Sequence, residues 1–214
     1  GPRGALGAFL PTGVVAAGVT GARANNGRAT TAALGSTASL TSGGAVAIGS
    51  SSLNRATAHT PGATVGGVAI GVMLAFAELS GGTSTQVDGD IVGSPSITIS
   101  AVADNLASAQ ADLVSISIAG ANGALAYAVI APSADVRAVV GSGSSLTSSG
   151  LVKVDAHTTG EHLKAKALAQ IGAGGLLGSL AVAGSIATQA AGVRAELSGA
   201  VPGSGAIQVT ADGT

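Results

Sequence analysis

The chain has 214 residues, of which 35 are Gly, 9% carry a charge, and the only aromatics are one Tyr and two Phe. A net charge of −1 excludes the basic footprint that nucleic acid or an anionic membrane would require, and the absence of Cys excludes disulfide and thiolate chemistry. The apolar residues are mostly small, which suits thin, closely stacked layers rather than a wide core filled by aromatic side chains.

In chain order, the first 39 residues read as the second half of a unit, with Thr31-Ala32-Ala33-Leu34 as a strand. Gly1-Pro2 in place of an initiator Met, with no signal-peptide pattern, suggests a piece of something longer. At Leu40 a pattern begins: an apolar residue, a Gly/Ser/Pro turn, then a strand alternating apolar with small or polar residues. Its copies lead with Leu40, Ile91, Leu146 and Val201, at steps of 51, 55 and 55 residues. Such a period predicts stacked similar units, not one globular core. The expected organisation is a partial unit over 1–39, repeat units over 40–90, 91–145 and 146–200, and the start of a further unit over 201–214.

Within the first unit, Val46 and Ile48 open a strand, Val68, Ile70, Val72, Leu74 and Phe76 alternate strictly, and Thr85-Gln86-Val87 forms a later strand. In the second, Ile97 and Ile99 open, Val114, Ile116 and Ile118 alternate with Ser115 and Ser117, and Gly120-Ala121-Asn122-Gly123 reads as a bend. Leu125 to Ile130 follows, then Val136-Arg137-Ala138. In the third, Val152 and Val154 open and a polar turn spans His157 to Gly160. Leu163, Ala165, Ala167 and Ala169 then alternate with Lys164, Lys166, Leu168 and Gln170. Ile171 to Gly175 is a bend, Leu177, Ser179, Ala181 and Ala183 share a face opposite Leu180, Val182 and Ile186, and Val193-Arg194-Ala195 matches Val136-Arg137-Ala138. Period two places one face of each strand in a core and the other in the open. Continuous helical periodicity with caps is absent. The fold class is therefore all-β, an elongated repeat stack, with a parallel β-solenoid as the leading arrangement and a stacked mixed or antiparallel sheet with long strands as the alternative.

The unit resembles the β-strand repeats of giant bacterial surface proteins of the filamentous-haemagglutinin and leukotoxin-type filamentous adhesin kind. Ile97-Thr98-Ile99-Ser100-Ala101 and Leu151 to Ala156 carry the opening, Gly67 to Ala75 and Gly175 to Ala183 the middle, and Val136 to Leu146 the close. The Pro residues at 95 and 202 and the shorter first unit depart from that pattern. The resemblance implies an exported, elongated surface or fibre module, and it carries over no catalytic residue.

Candidate sites are sparse. His157 and His162 flank Glu161 at a spacing that fits a solvated turn better than a zinc motif. Asp88-Gly89-Asp90 occurs once, so it reads as a tight turn rather than a repeating cation site. Gly172-Ala173-Gly174-Gly175 lacks the strand–turn–helix context of a dinucleotide site, and Ser142 lies in a recurring turn rather than a nucleophile elbow. The acids Asp88, Asp104, Asp135 and Asp155 fall at different unit phases. The lone Tyr127 is thin support for carbohydrate binding, as are Thr83, Thr85 and Thr210 for an ice-binding array. Ala63 to Ala77 and Ala167 to Val193 are free of charge but interrupted by Gly66-Gly67 and Gly174-Gly175, so no lipid-spanning segment is expected. These readings give no catalytic, cofactor or metal site and no enzyme. They predict a structural segment of an exported bacterial repeat protein, extracellular or at the cell surface, forming a fibre or scaffold by self-association. An adhesin stalk recognising a cell-surface or matrix ligand is the alternative, and a glycan-processing β-helix a more distant one.

Overall fold

In the computed structural model the described residues are 3–4, 12–159 and 164–213, with side chains described from residue 14 onward. In chain order the strands are β1 (Arg3–Gly4), β2 (Thr12–Asn26), β3 (Thr30–Leu34), β4 (Ser39–Thr41), β5 (Val46–Leu79), β6 (Thr83–Val87) and β7 (Asp90–Ser94). After them come β8 (Ile97–Ile130), β9 (Val136–Val140), β10 (Leu146–Ser148), β11 (Leu151–Thr158), β12 (Lys164–Gln189), β13 (Val193–Leu197) and β14 (Ala206–Asp212). The only helical element among the described residues is a 3-10 turn at Pro132–Ala134.

Every strand pairing among the described residues is parallel. β5 and β8 form the centre of the largest sheet, with β1 and β2 against β5, and β11 and β12 against β8; β14 follows β11. The short strands make two further sheets, β3-β6-β9-β13 and β4-β7-β10. Each turn of the chain thus supplies one strand to each layer before returning one level up. This is an all-β stack with the parallel β-solenoid topology expected, and it disposes of the antiparallel alternative.

Equivalent residues stack as the repeats imply. Val46, Ile97, Val152 and Ile207 form one column, and Ile48, Ile99, Val154 and Val209 the next. The leads Leu40, Ile91 and Leu146 pair in turn, and Ser145 bridges Ala200. The Gly/Ser/Pro turn before each opening strand closes the coil: the Ser94 hydroxyl donates to the Gly44 carbonyl at 2.9 Å and the Ser96 carbonyl at 2.6 Å. The varying period has local causes. Val46 to Ile97 is a step of 51 residues, but Thr83 to Val136 is 53 because the Pro132–Ala134 turn is inserted, and Ile91 to Leu146 is 55 after a longer loop following Val140.

β5 and β8 are 34 residues each, and their outer ends fold back. Thr60 Oγ1 donates to the Leu74 carbonyl at 2.7 Å, Asn54 Nδ2 to the Gly81 carbonyl at 3.4 Å, and the hydroxyls of Ser50 and Thr85 meet at 2.8 Å. A front limb, beginning at Val46, therefore faces a return limb that begins at Val68. The corner lies between Gly66 and Val68, where the ladder skips Gly67 and Ile118. A Cβ on Gly67 would sit 2.8 Å from the Val14 carbonyl oxygen one coil below, so the corner stacks only with glycine there. In the next coil up, β12 passes the same corner with a bulge, pairing Gly175 and Gly178 with Ser117 and Ala119. The bend expected at 120–123 is thus a few residues late and the one at 171–175 a few residues early, and both are corners within continuous strands rather than breaks between strands.

The limbs enclose a thin core in two parts. Near the closing turn it is built of Ile97, Ile99, Val136, Val140, Val152 and Val154, all fully buried. Towards the corner it becomes a slab of Ala, including Ala56, Ala58, Ala107, Ala109, Ala126 and Ala128. The limbs are so close here that a Cβ on Gly62 would run into the Met73 side chain, and one on Gly71 would lie 2.9 Å from Thr64 Cγ2.

At the corner the expected facing is inverted. The alternating residues Val114, Ile116 and Ile118 point outward, while Ser115 and Ser117 between them are buried; Val68, Ile70 and Leu74 are outward too, with Ala69 and Met73 inside. The physical reason is the narrow gap. Limbs this close leave room for few large chains, Met73 and Leu113 among them, so mostly small residues such as Ala69, Ser115 and Ser117 fill the inside and the Val/Ile set is turned out.

Candidate functional site

Between the two apolar parts of the core lies a buried polar set. Asn54 donates to Asn105 Oδ1 at 3.0 Å, and Asn105 donates to the Ala134 carbonyl at 3.1 Å, so an Asn column ties two coils and both limbs together. In the same coil as Asn54, Thr83 and Thr85 point inward. Thr85 donates to the Ser100 carbonyl at 2.6 Å, and Thr83 bonds to Ser52. They are fully buried and belong to the core, not to an exposed threonine array.

Charged side chains lie on the outer faces, and three of their ion pairs join neighbouring coils. Arg55 meets Asp104 at 3.1 Å, His59 meets Asp112 at 2.9 Å, and Arg23 reaches Glu78 at 3.6 Å. The first two place a base on β5 against an acid on β8. Exposed pairs of this kind contribute up to about 1 kcal/mol each, so they favour register more than stability. Phe76 and Tyr127 stack with ring centroids 5.1 Å apart at 14°, and Arg23 lies 5.0 Å over the Phe76 ring. Tyr127 is therefore part of an inter-coil stack.

On the return limb, two shallow depressions share Arg137. One, of about 260 Å³, is lined by Ser84, Gln86, Val139 and Glu196, and the other, of about 390 Å³, by Ser80, Ser133 and Asp135. Hydroxyls, an amide and both charge signs around one guanidinium can hydrogen-bond a polar ligand. Glu196 accepts from Ser198 Oγ at 2.8 Å and pairs with Arg194. The Ser198 hydroxyl first, and the Arg194 charge second, hold its carboxyl below the usual glutamate range. A depressed folded-state value means that the stabilisation is present above the ordinary glutamate pKa and is lost as pH falls through the lowered one. Titrating the Glu196 carboxyl by NMR should give a midpoint below that of a model peptide, and Ser198→Ala should raise it.

The remaining candidates fall into structural places. Asp90 accepts from the Ser145 backbone N–H of the next coil at 2.8 Å, and Asp88 accepts from the Gln86 amide at 2.7 Å, so Asp88-Gly89-Asp90 is an inter-coil turn. Asp135 accepts from the Gly192 N–H at 2.8 Å in the same manner. On β11, Asp155 lies between His157, at 2.8 Å, and Lys153, at 3.6 Å; Glu161 and His162 lie outside the described residues. Gly172 to Gly175 lie within β12, and Ser142 is in the exposed turn after β9. Among the described residues no three His, Asp or Glu side chains gather as a metal site, and no helix is long and apolar enough to cross a membrane. Sequence reasoning missed the Asn column and the Arg137 depressions; the recurrence of Asn54 at Asn105, 51 residues apart, was the available signal for the first. No family model, curated protein or solved structure matches the chain.

Proposed function

We propose that the chain is a structural segment of an exported bacterial repeat protein, working as part of a surface or extracellular fibre that associates laterally. The observation that carries this reading is the in-register column of equivalent residues through successive coils, with backbone ladders rather than a reactive cluster as the repeated feature. Neighbouring coils in a parallel ladder rise by about 4.8 Å, while a front limb of about 20 residues extends roughly 65 Å. A long array of such coils is accordingly a broad ribbon, and ribbons with few charges repel one another weakly. Its resemblance to filamentous-haemagglutinin-type repeats agrees with this role. The test is electron microscopy with analytical ultracentrifugation at increasing protein concentration. Ribbons or bundles that grow with concentration are expected; a monomer at every concentration would overturn lateral association.

The depressions at Arg137 favour a second reading, an adhesin segment that holds a polar cell-surface ligand. Glycan-array binding by dispersed protein, lost in Arg137→Ala, is the result that would prefer it.

A further inference from the structure

The corner end of the arch has its polarity reversed relative to a protein in water. Inside it, beside the apolar Ala69, Met73 and Leu113, Thr64, Ser115 and Ser117 have buried hydroxyls, and Asn122 a buried amide, with no hydrogen-bond partner among the protein's atoms. Outside, Ile116 is 60% exposed, Ile118 51% and Ile70 46%. An aqueous domain gains by the opposite arrangement, since apolar surface is driven out of water and unpaired buried polar groups carry a penalty. Apolar outside with polar inside suits an apolar solvent.

We propose that this corner enters the acyl layer of a lipid membrane. Three further observations select lipid over a second copy of the chain. First, the apolar residues cover both outer faces and the corner between them: Val114 and Ile116 on the front limb, Leu176 and Leu177 at the corner, Val68 and Ile70 on the return limb. A docked protein covers one face, whereas a solvent covers all three.

Second, charge is placed as a membrane interface requires. No charged residue lies in 60–77, 113–134 or 167–193, and charges begin at the rim, with His59 and Asp112 paired on the front limb and Arg23 and Glu78 on the return limb. The Phe76–Tyr127 stack sits just inside that rim, at the level where aromatic rings partition between headgroups and acyl chains.

Third, the depth fits. From Asp112 to Ile118 the front limb spans roughly 20 Å, and from Val68 to Phe76 the return limb spans roughly 27 Å, against a hydrocarbon core of about 30 Å. The corner is thus long enough to pass through one leaflet and into the other. Within this belt the β8 ladder runs to β5 on one side and β12 on the other, and the β5 ladder from Val65 onward to β2 and β8, with breaks only at the corner residues Gly67 and Ile118, as a non-aqueous medium demands.

The test uses the whole chain with neutral phosphatidylcholine vesicles. The protein should float with them, and the emission of an Ile116→Trp variant should shift to the blue and be quenched by lipids brominated on their acyl chains. Ile116→Lys should weaken partitioning by roughly tenfold or more, while Ser51→Lys, on the same outer face but far from the corner, should leave it unchanged. Circular dichroism verifies the fold of each variant; should Ile116→Lys lose its β signal, Val68→Lys on the opposite face takes its place. Failure to float, an unquenched Trp, or equal partitioning of the lysine variant would overturn the proposal. So would a protein that ignores vesicles but whose self-association is broken by Ile116→Lys, which would assign the surface to a second copy.

Discussion

A variant lacking Ile97 to Leu151 should fold, whereas one lacking Ile97 to Ile118 should not. The first deletion removes one complete coil and joins Ser96 to Val152. Val152 then stacks on Val46 and Val154 on Ile48, because both pairs already share partners in Ile97 and Ile99. Val193 similarly meets Thr83, whose present partner is Val136. The polar core of the preceding coil survives, since Ser50 bonds Thr85 and Asn54 bonds Gly81 within that coil. The second deletion removes a front limb and leaves its return limb with nothing to face, exposing the Ala slab on one side. Stacked arrays lose one unit term and one interface term per deleted repeat. For the whole-coil variant, an unchanged circular dichroism spectrum per residue is expected, with a denaturant m-value about a quarter smaller, in proportion to the surface removed. The half-coil variant should show no cooperative transition. If both variants unfold alike, the coil is not the unit of stability.

What could be read from the sequence was governed by what repeats. The columns through Ile97 and Ile99 were legible because a stacked parallel ladder places like residues over like, and Val136-Arg137-Ala138 predicts its partner Val193-Arg194-Ala195 residue for residue. Thr85-Gln86-Val87 belongs to the same sheet, but pairs with Ala138 to Val140, two residues later than the motif match suggests, because Thr83 rather than Thr85 opens β6. Facing at the corner was not legible. Alternation assigns two sets of residues to two faces without saying which is inside, and the usual rule that the bulkier apolar set is buried fails for Val114 and Ile116. Limb separation decides that choice, and it depends on what the opposing limb brings back after the corner, as where Thr64 meets Gly71 and Gly62 meets Met73, which alternation along one limb does not encode. The Arg137 depressions were hidden for a related reason: Ser84, Arg137 and Glu196 come from three successive coils and share no local motif.

Replacing Ala109 with Leu should destabilise the protein more than most changes to its surface, although it adds apolar volume to a buried site. Ala109 is 1% exposed and pairs with Ala58 in one neighbouring coil and Ala167 in the other. Parallel strands lie about 4.8 Å apart, so a longer side chain has no room along the stack. Across the slab, Ala126 and Ala128 belong to the same buried cluster, which closes the third direction. Leu at this site must therefore push the limbs apart or leave its preferred rotamers, at a cost of about 1–3 kcal/mol or more. Chemical denaturation measures it. Ser108→Leu, one residue away on the outer face, should change stability by no more than about 0.5 kcal/mol, so chain position alone does not explain the difference. The opposite error separates the two parts of the core. Ile99→Ala, in the wider Ile/Val part, should cost about 2–5 kcal/mol by leaving a cavity. If Ala109→Leu is neutral, the limbs are not in close contact at the Ala slab. The narrow gap would then no longer explain why the bulky residues at the corner face outward.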